Sequence, residues 1–376
     1  MIEVLKNNTY TNVWIYGAGK VGKKLWNVFH FLGIRADGFV VSKYDGVRIF
    51  GAEVRELQNI VSAPAETLFI VTVPEKFREE VVSNIEARGY VNYIIWDAEC
   101  LSELWQMSDY SFEDRRRKTD KCCFILAGYK EFLWDNVFAR MKAFIPADVD
   151  VCIISSGVYN ERLSELARES GWSYLATKIN SVTLVQNVAF AIYRDYEWVY
   201  KVDEDIFVTE GSFEQLMQGY SDAVKNLGYE IGITVPLIPI NGYGYKTILD
   251  KYSKSREYEE KFGPVKIGGN PESEIEKNPE SAVFMWSELP SLDEMNRNFQ
   301  KEKPYSVCGV RFSIGFILLK HTFWDDMQGF AVSGTADMGA DEEEVCANCI
   351  NGSKAIIVCH HAVVGHFSFG KQTNRM

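Results

Sequence analysis

Along the first hundred residues, short continuous apolar runs alternate with stretches whose apolar positions fall three and four apart. VWIYGAG is a run ending in glycine. KVGKKLWNVFHFLG then places Val21, Leu25, Val28, Phe29 and Leu32 on one side of a helix. DGFVV, TLFIVTV and NYIIW read as buried strands, with the helical EKFREEVVSNIEARG between the last two. Unbroken apolar strands separated by amphipathic helices predict a parallel sheet covered on both faces, here with about three to four strands.

QMSDYSFEDRRRKTDK, residues 106–121, has few aliphatic positions and many charges, and it predicts a linker or domain edge. From Cys122 the alternation restarts. CCFILAG, DVDVCIISS, WSYLATK and EWVYKVDEDIFV read as strands; WDNVFARMKAFI, NERLSELARESG and SVTLVQNVAFAIYRDY read as the helices between them. Beyond Pro236 the pattern weakens, and the polar stretch 251–305 predicts long substrate loops or lids. SIGFILLKHTFWDDM, EEEVCANCI and KAIIVCHHAVVGHFSFG close the chain. The expected organisation is a parallel-sheet domain over 1–105, a linker over 106–121 and a second α/β domain over 122–376.

A length of 376 residues suits two cores, and 47% hydrophobic with 24% charged residues is ordinary globular composition. The formal charge of −12 argues against a nucleic-acid partner, whose phosphates it repels, but not against one nucleotide held at a metal. Several of the eight cysteines sit in apolar runs, where cysteine packs as a small hydrophobe. The polar start MIEVLKNNTY lacks the apolar core of a signal peptide. No apolar stretch approaches the ~20 residues of a transmembrane helix. The expectation is a cytoplasmic protein with reduced thiols.

Gly17, Gly19 and Gly22 form G-x-G-x-x-G between a strand and a helix. In that context the glycines serve a tight turn, close approach of a phosphate, and close packing of helix on strand. An acid at the end of the second strand would complete a dinucleotide site, but DGFVVSK ends in Ser42 and Lys43, and Asp37 precedes the strand. This quarter of the chain resembles the Rossmann-like sugar-nucleotide-binding domains of bacterial sugar acetyltransferases and related polysaccharide-biosynthesis proteins. A nicotinamide site, a site for some other nucleotide or sugar nucleotide, and a purely structural or docking role all stay open.

WVYKVDEDIFV carries Asp203, Glu204 and Asp205 at the end of an apolar strand. In an extended segment Asp203 and Asp205 point the same way and offer hard oxygens to Mg²⁺ or Mn²⁺, which can bridge two phosphates. Exposed turn acids are the bland alternative. Three βα units leading into this acidic strand, over roughly 122–366, resemble the GT-A fold glycosyltransferases, including the broad family-two group. The resemblance implies a GT-A-like nucleotide-diphosphosugar transferase domain. It also implies that Asn187, in the helix before the acids, contributes to the nucleotide-sugar site together with Asp203. Ala127, Gly128 and Tyr129 would lie beside the base or ribose, Ser155 and Ser156 would stand where the family often has an acid for the base, and Lys178 and Asn180 would reach diphosphate or ribose.

GADEEEVCANCI places Asp341, Glu342, Glu343 and Glu344 before a helix. Asp341 and Glu344 have the spacing of a capping box. One of Asp341, Glu342 or Glu343 is equally a candidate base for an acceptor hydroxyl, as the resemblance to inverting transferases implies. His360, His361 and His366 cluster near the end, and by the same resemblance His366 is the candidate third metal ligand. Cys346 and Cys349 form a C-x-x-C within a helical pattern, which reads as core packing rather than zinc.

The expected function is metal-assisted sugar transfer from a nucleotide-sugar donor to a saccharide or lipid-linked saccharide acceptor, with Mn²⁺ or Mg²⁺. The resemblance places it in capsule or O-antigen synthesis, and a homo-oligomer is compatible. The rivals are nucleotidyl transfer, for which LAGYKEF offers too few basic residues, an NAD-dependent oxidoreductase, and a non-catalytic sugar-nucleotide-binding module.

Overall fold

Strands β1 (Asn12–Tyr16), β2 (Gly38–Val41), β3 (Glu53–Glu56), β4 (Thr67–Val71) and β5 (Tyr93–Ile95) form a parallel sheet in the order β3-β2-β1-β4-β5. These and all later elements are those of a computed structural model, which describes residues 3–7, 9–44, 46, 48–269, 273–332 and 339–367. Helix α1 (Glu3–Lys6) precedes the sheet, and α2 (Lys20–Leu32), α3 (Arg78–Glu86) and α4 (Ala98–Gln106) cover it. Alternate side chains of the strands serve two cores. Trp14, Tyr16, Val40, Phe69 and Val71 pack with Val81 and Ile85 of α3. Val13, Ile15, Phe39 and Ile70 face a core that runs on into the rest of the chain. Strand β3 eluded the sequence pattern because EVRE is a half-polar edge strand in which only Val54 is buried.

The segment expected as linker is partly structured. Tyr110–Glu113 is β6, paired antiparallel with the strand Ser173–Thr177 at the edge of the second sheet, with Tyr110 and Phe112 packed on the core. Alternating aromatics supply one buried face despite the charges.

The second sheet is mixed and nine-stranded. Its parallel part comprises β7 (Lys121–Leu126), β8 (Val149–Ser156), β9 (Ser173–Thr177) and β10 (Trp198–Asp203), joined by α5 (Trp134–Phe144), α6 (Glu161–Ser170) and α7 (Val182–Ile192). After β11 (Ile206–Phe207) and α8 (Ser212–Asn226) comes β12 (Glu230–Leu237). The stretch expected as irregular loops instead forms short helices: α9 (Gly244–Lys251), α10 (Ser255–Phe262), α11 (Glu274–Lys277), α12 (Pro279–Ser287) and α13 (Leu292–Phe299). Each is too short to show a period, yet Tyr245, Tyr258, Ile275, Met285 and Phe299 anchor them in the core. Then follow β13 (Tyr305–Cys308), β14 (Phe316–Lys320), α14 (His321–Met327), α15 (Ala340–Asn351), β15 (Lys354–Val363) and β16 (Gly365–His366). The order is β13-β15-β12-β14-β10-β7-β8-β9-β6, with β11 and β16 a separate two-stranded ribbon.

This is the α/β class expected, a parallel sheet followed by a larger α/β sheet. In both sheets the first parallel strand, β1 or β7, has its successors on opposite sides, the switch point where α/β sheets of this kind form a crevice at the strands' carboxyl ends. No helix among the described residues is long and apolar enough to cross a membrane. All eight cysteines are buried and unbridged. Burial pushes the Cys346 and Cys349 thiols up to about 12, as befits core residues.

Candidate active site at the β7–β10 crevice

At the second crevice, the loop after β7 and the tip of β10 are tied together by Glu204. Its buried carboxylate accepts from the backbone N–H of Gly128 (3.0 Å), Tyr129 (2.8 Å) and Lys130 (3.0 Å), and from Trp134 Nε1 (2.5 Å). Three amides converging on one carboxylate explain why the loop starts with Gly128, whose φ of 151° suits only glycine. Glu204 thus positions the loop.

Asp205 is buried, its Oδ2 2.6 Å from Lys130 Nζ and 3.4 Å from His366 Nε2. The β11–β16 ribbon brings this histidine in by pairing Ile206 with His366. Burial opposes charge on Asp205, but His366 and then Lys130 outweigh it and hold the carboxyl below its usual range. Burial alone would lower His366, and Asp205 reverses that. Asp203 is more open, its side chain 28% exposed, with Lys201 Nζ 2.6 Å from Oδ1. It lies deep enough in the crevice that desolvation leads and pushes its carboxyl up; Lys201 opposes the shift and Asp205 adds to it. Lys201 also donates to the Ile314 carbonyl and stands 3.9 Å from Asp341.

Among the described residues no three of His, Cys, Asp and Glu stand together as a formed metal centre. The donor set nevertheless suits a hard divalent cation. Asp205 Oδ1 is buried without a hydrogen-bond partner, a costly state for a carboxylate oxygen. It shares its carboxyl group with the oxygen beside His366. Were a divalent cation bound here, Asp203, Asp205 and His366 would be the residues to hold it.

The rim is built from three loops. The Tyr129 hydroxyl donates to Asn180 Oδ1 (2.5 Å) and lies 3.2 Å from Ser156 Oγ, while its ring is 56% exposed. Gly157 permits this closure, since a Cβ there would stand 2.7 Å from that of Asn180. Other expected contacts fall elsewhere. Ala127 is buried, and Ser155 is buried with its Oγ 2.8 Å from the Tyr174 hydroxyl. Lys178 is exposed and paired with Asp109 at 2.6 Å. Asn187 is fully buried: it accepts from Trp324 Nε1 and Phe330 N and donates to the Phe330 carbonyl, so it fastens the chain after α14 and does not reach the crevice. An asparagine inside an apolar helix had to bond something; the sequence did not say that a backbone would serve.

The acids of α15 are also rearranged. Gly339 is the N-cap and no side chain caps the helix, so the expected capping box is not formed. Asp341 accepts from the Glu342 backbone N–H and from Gln186 Nε2 (both 2.9 Å). Glu342 is buried with Oε1 2.7 Å from Arg311 Nε, whereas Glu343 is 75% exposed. Glu344 turns away toward Lys24. Glu276 went unnoticed in the sequence. It accepts from Gly242 N, and burial, with a further push from Glu342, raises its carboxyl to about 7.

At the first crevice, Gly17 takes φ 112°, and Thr72 donates to the Tyr16 and Gly17 carbonyls (both 3.1 Å). A Cβ on Gly22 would lie 2.0 Å from the Gly17 carbonyl oxygen, while one on Gly19 meets nothing within 4 Å. Asp37 accepts from Val13 N (2.7 Å) and pairs with Arg35, away from the loop.

No family model matches the sequence, and no curated protein matches it. Among solved structures it is similar to that of GalNAc-T7 with UDP, GalNAc and Mn²⁺, at TM-score 0.40 and 12% identity over 80% of this chain. It is also similar to S. aureus TarS 1–349, at TM-score 0.38 and 10% identity over 65% of this chain. The chain spans 54% and 60% of those two chains.

Proposed function

We propose that this chain is a glycosyltransferase moving a sugar from a nucleoside-diphosphate sugar to an acceptor hydroxyl with the help of a divalent cation. One observation supports the reading: His366 stands beside Asp205 at the tip of β10, within electrostatic reach of Asp203 and next to the loop fastened by Glu204. Departure of a sugar leaves negative charge on the diphosphate, and a cation, if held by Asp203, Asp205 and His366, would supply the opposite charge. The exposed Tyr129 ring offers a face for a nucleobase. Asn180 and Ser156 beside it offer polar groups to the ribose.

On the acceptor side, Asp341 is engaged on both oxygens and fixes the helix start. Glu342, oriented by Arg311, is the group we assign to receive the acceptor proton. Nucleotidyl transfer is disfavoured because Lys130, the basic residue of the loop, is committed to Asp205. A saccharide acceptor and a role in surface-polysaccharide synthesis are carried over from the family resemblance.

The test is thermal unfolding with UDP, GDP and their sugars, each with and without Mn²⁺. A ligand at a hundredfold excess over its dissociation constant adds about 2.7 kcal/mol. We expect stabilisation by one nucleoside diphosphate that depends on the cation. Stabilisation by NAD alone would replace this reading with the oxidoreductase one.

A further inference from the structure

The helix that leaves the N-terminal glycine loop reaches out of its own sheet. Lys20 and Lys24 lie one turn apart on one face of α2. Lys20 Nζ donates to Asn348 Oδ1 on α15 at 2.7 Å. Lys24 Nζ donates to the Met327 carbonyl (2.8 Å), to the Gly329 carbonyl and to Glu344 Oε1 (2.5 Å). All three donors of the ammonium are therefore used, and its side chain is only 12% exposed. The other Glu344 oxygen accepts from Ala331 N at 2.6 Å. A second strut comes from the same sheet, where Trp96 Nε1 donates to Gln328 Oε1 at 2.8 Å.

These contacts have one destination. The backbone from Met327 to Ala331 and the first turns of α15 are drawn together by one buried cation. Three residues before Glu344 stands Asp341, and next to it Glu342. We infer that Lys24 is a positioning residue: it clamps α15 against the chain after α14, so that the small parallel sheet holds Asp341 and Glu342 at the crevice. This rests on the transferase reading for its effect on turnover, but not for its effect on the helix.

Charge, and not mere bulk, should be what matters, because two carbonyls and a carboxylate face the ammonium. Lys24→Met keeps most of the length and removes the charge; Lys24→Arg keeps the charge. The experiment measures amide hydrogen exchange of Ala340–Asn351 and steady-state transfer in the full-length wild type and both variants. In Lys24→Met we expect α15 to exchange at least about tenfold faster and kcat to fall by a similar factor, with the donor KM within about twofold. Lys24→Arg should recover most of both. If Lys24→Met does not fold, Glu344→Gln opens the clamp from the other side while still accepting from Ala331 N.

Unchanged exchange in the opened clamp overturns the proposal. So does faster exchange with unchanged kcat, or a Lys24→Arg variant as impaired as Lys24→Met. Absence of transfer in the wild type would instead count against the transferase reading, and exchange alone would then decide whether Lys24 holds the helix.

Discussion

In the small sheet β1 pairs with β4 and a glycine loop follows β1; in the large sheet β7 pairs with β10 and the loop opening at Gly128 follows β7. The two crevices differ in what the second strand brings to its tip. After β4 comes Thr72, whose hydroxyl bonds the Tyr16 and Gly17 carbonyls and closes the gap with neutral groups. At the tip of β10 come three carboxylates, one fastening the loop and two paired with Lys130 and Lys201. The shared topology provides a place, and the residues at the strand tip decide whether chemistry can occur there.

The largest effect should come from removing the charge that distinguishes the second crevice. Asp205 balances Lys130 and His366 in a buried position, so Asp205→Ala would strand two cations and cost about 3–5 kcal/mol of stability. Asp205→Asn is the cleaner test, since it keeps shape and one acceptor. Transfer should fall by about a thousandfold and the Mn²⁺-dependent thermal shift should vanish. Retained turnover would mean that this crevice does not use the carboxylate.

Glu204 offers the next test. Replacing it with Ala leaves three loop amides and an indole N–H without their acceptor, and we expect a loss of about 3 kcal/mol or more in urea unfolding. Glu204→Gln, which keeps one oxygen, should lose less. Equal stability of wild type and Glu204→Ala would show that the loop is held by other means.

Much of this was legible in the sequence because it depends on local pattern. Apolar runs and helical spacing predicted the small parallel sheet and the parallel part of the large one. What escaped depends on contacts between distant residues. Nothing local distinguishes Glu204, which turns back under the loop, from Asp203 and Asp205, which do not. Asn187 resembled a ligand contact by its place before the acids, yet its partners lie 143 residues on, at Phe330. Lys24 is one of three lysines in KVGKK, and nothing in that pattern singles it out. Its acceptors are carbonyls and a carboxylate some 300 residues later, and no periodicity reports such a meeting.

The mildest test concerns the first crevice, where the comparison predicts architecture without chemistry. Gly22 lies against the loop it follows: an added methyl would stand 2.0 Å from the Gly17 carbonyl oxygen and 2.9 Å from Thr72 Oγ1. Because one of those neighbours is backbone, the helix or the loop must shift, and overpacking of this kind costs about 1–3 kcal/mol. Gly19 has open space where its Cβ would be and an ordinary extended backbone, φ −76°. Gly22→Ala should therefore lower the unfolding midpoint while Gly19→Ala leaves it almost unchanged, and neither should alter the Mn²⁺-dependent nucleotide shift. If Gly19→Ala weakened that shift at unchanged stability, the glycine loop would be taking part in nucleotide binding, and the division between a scaffolding crevice and a reacting one would fall.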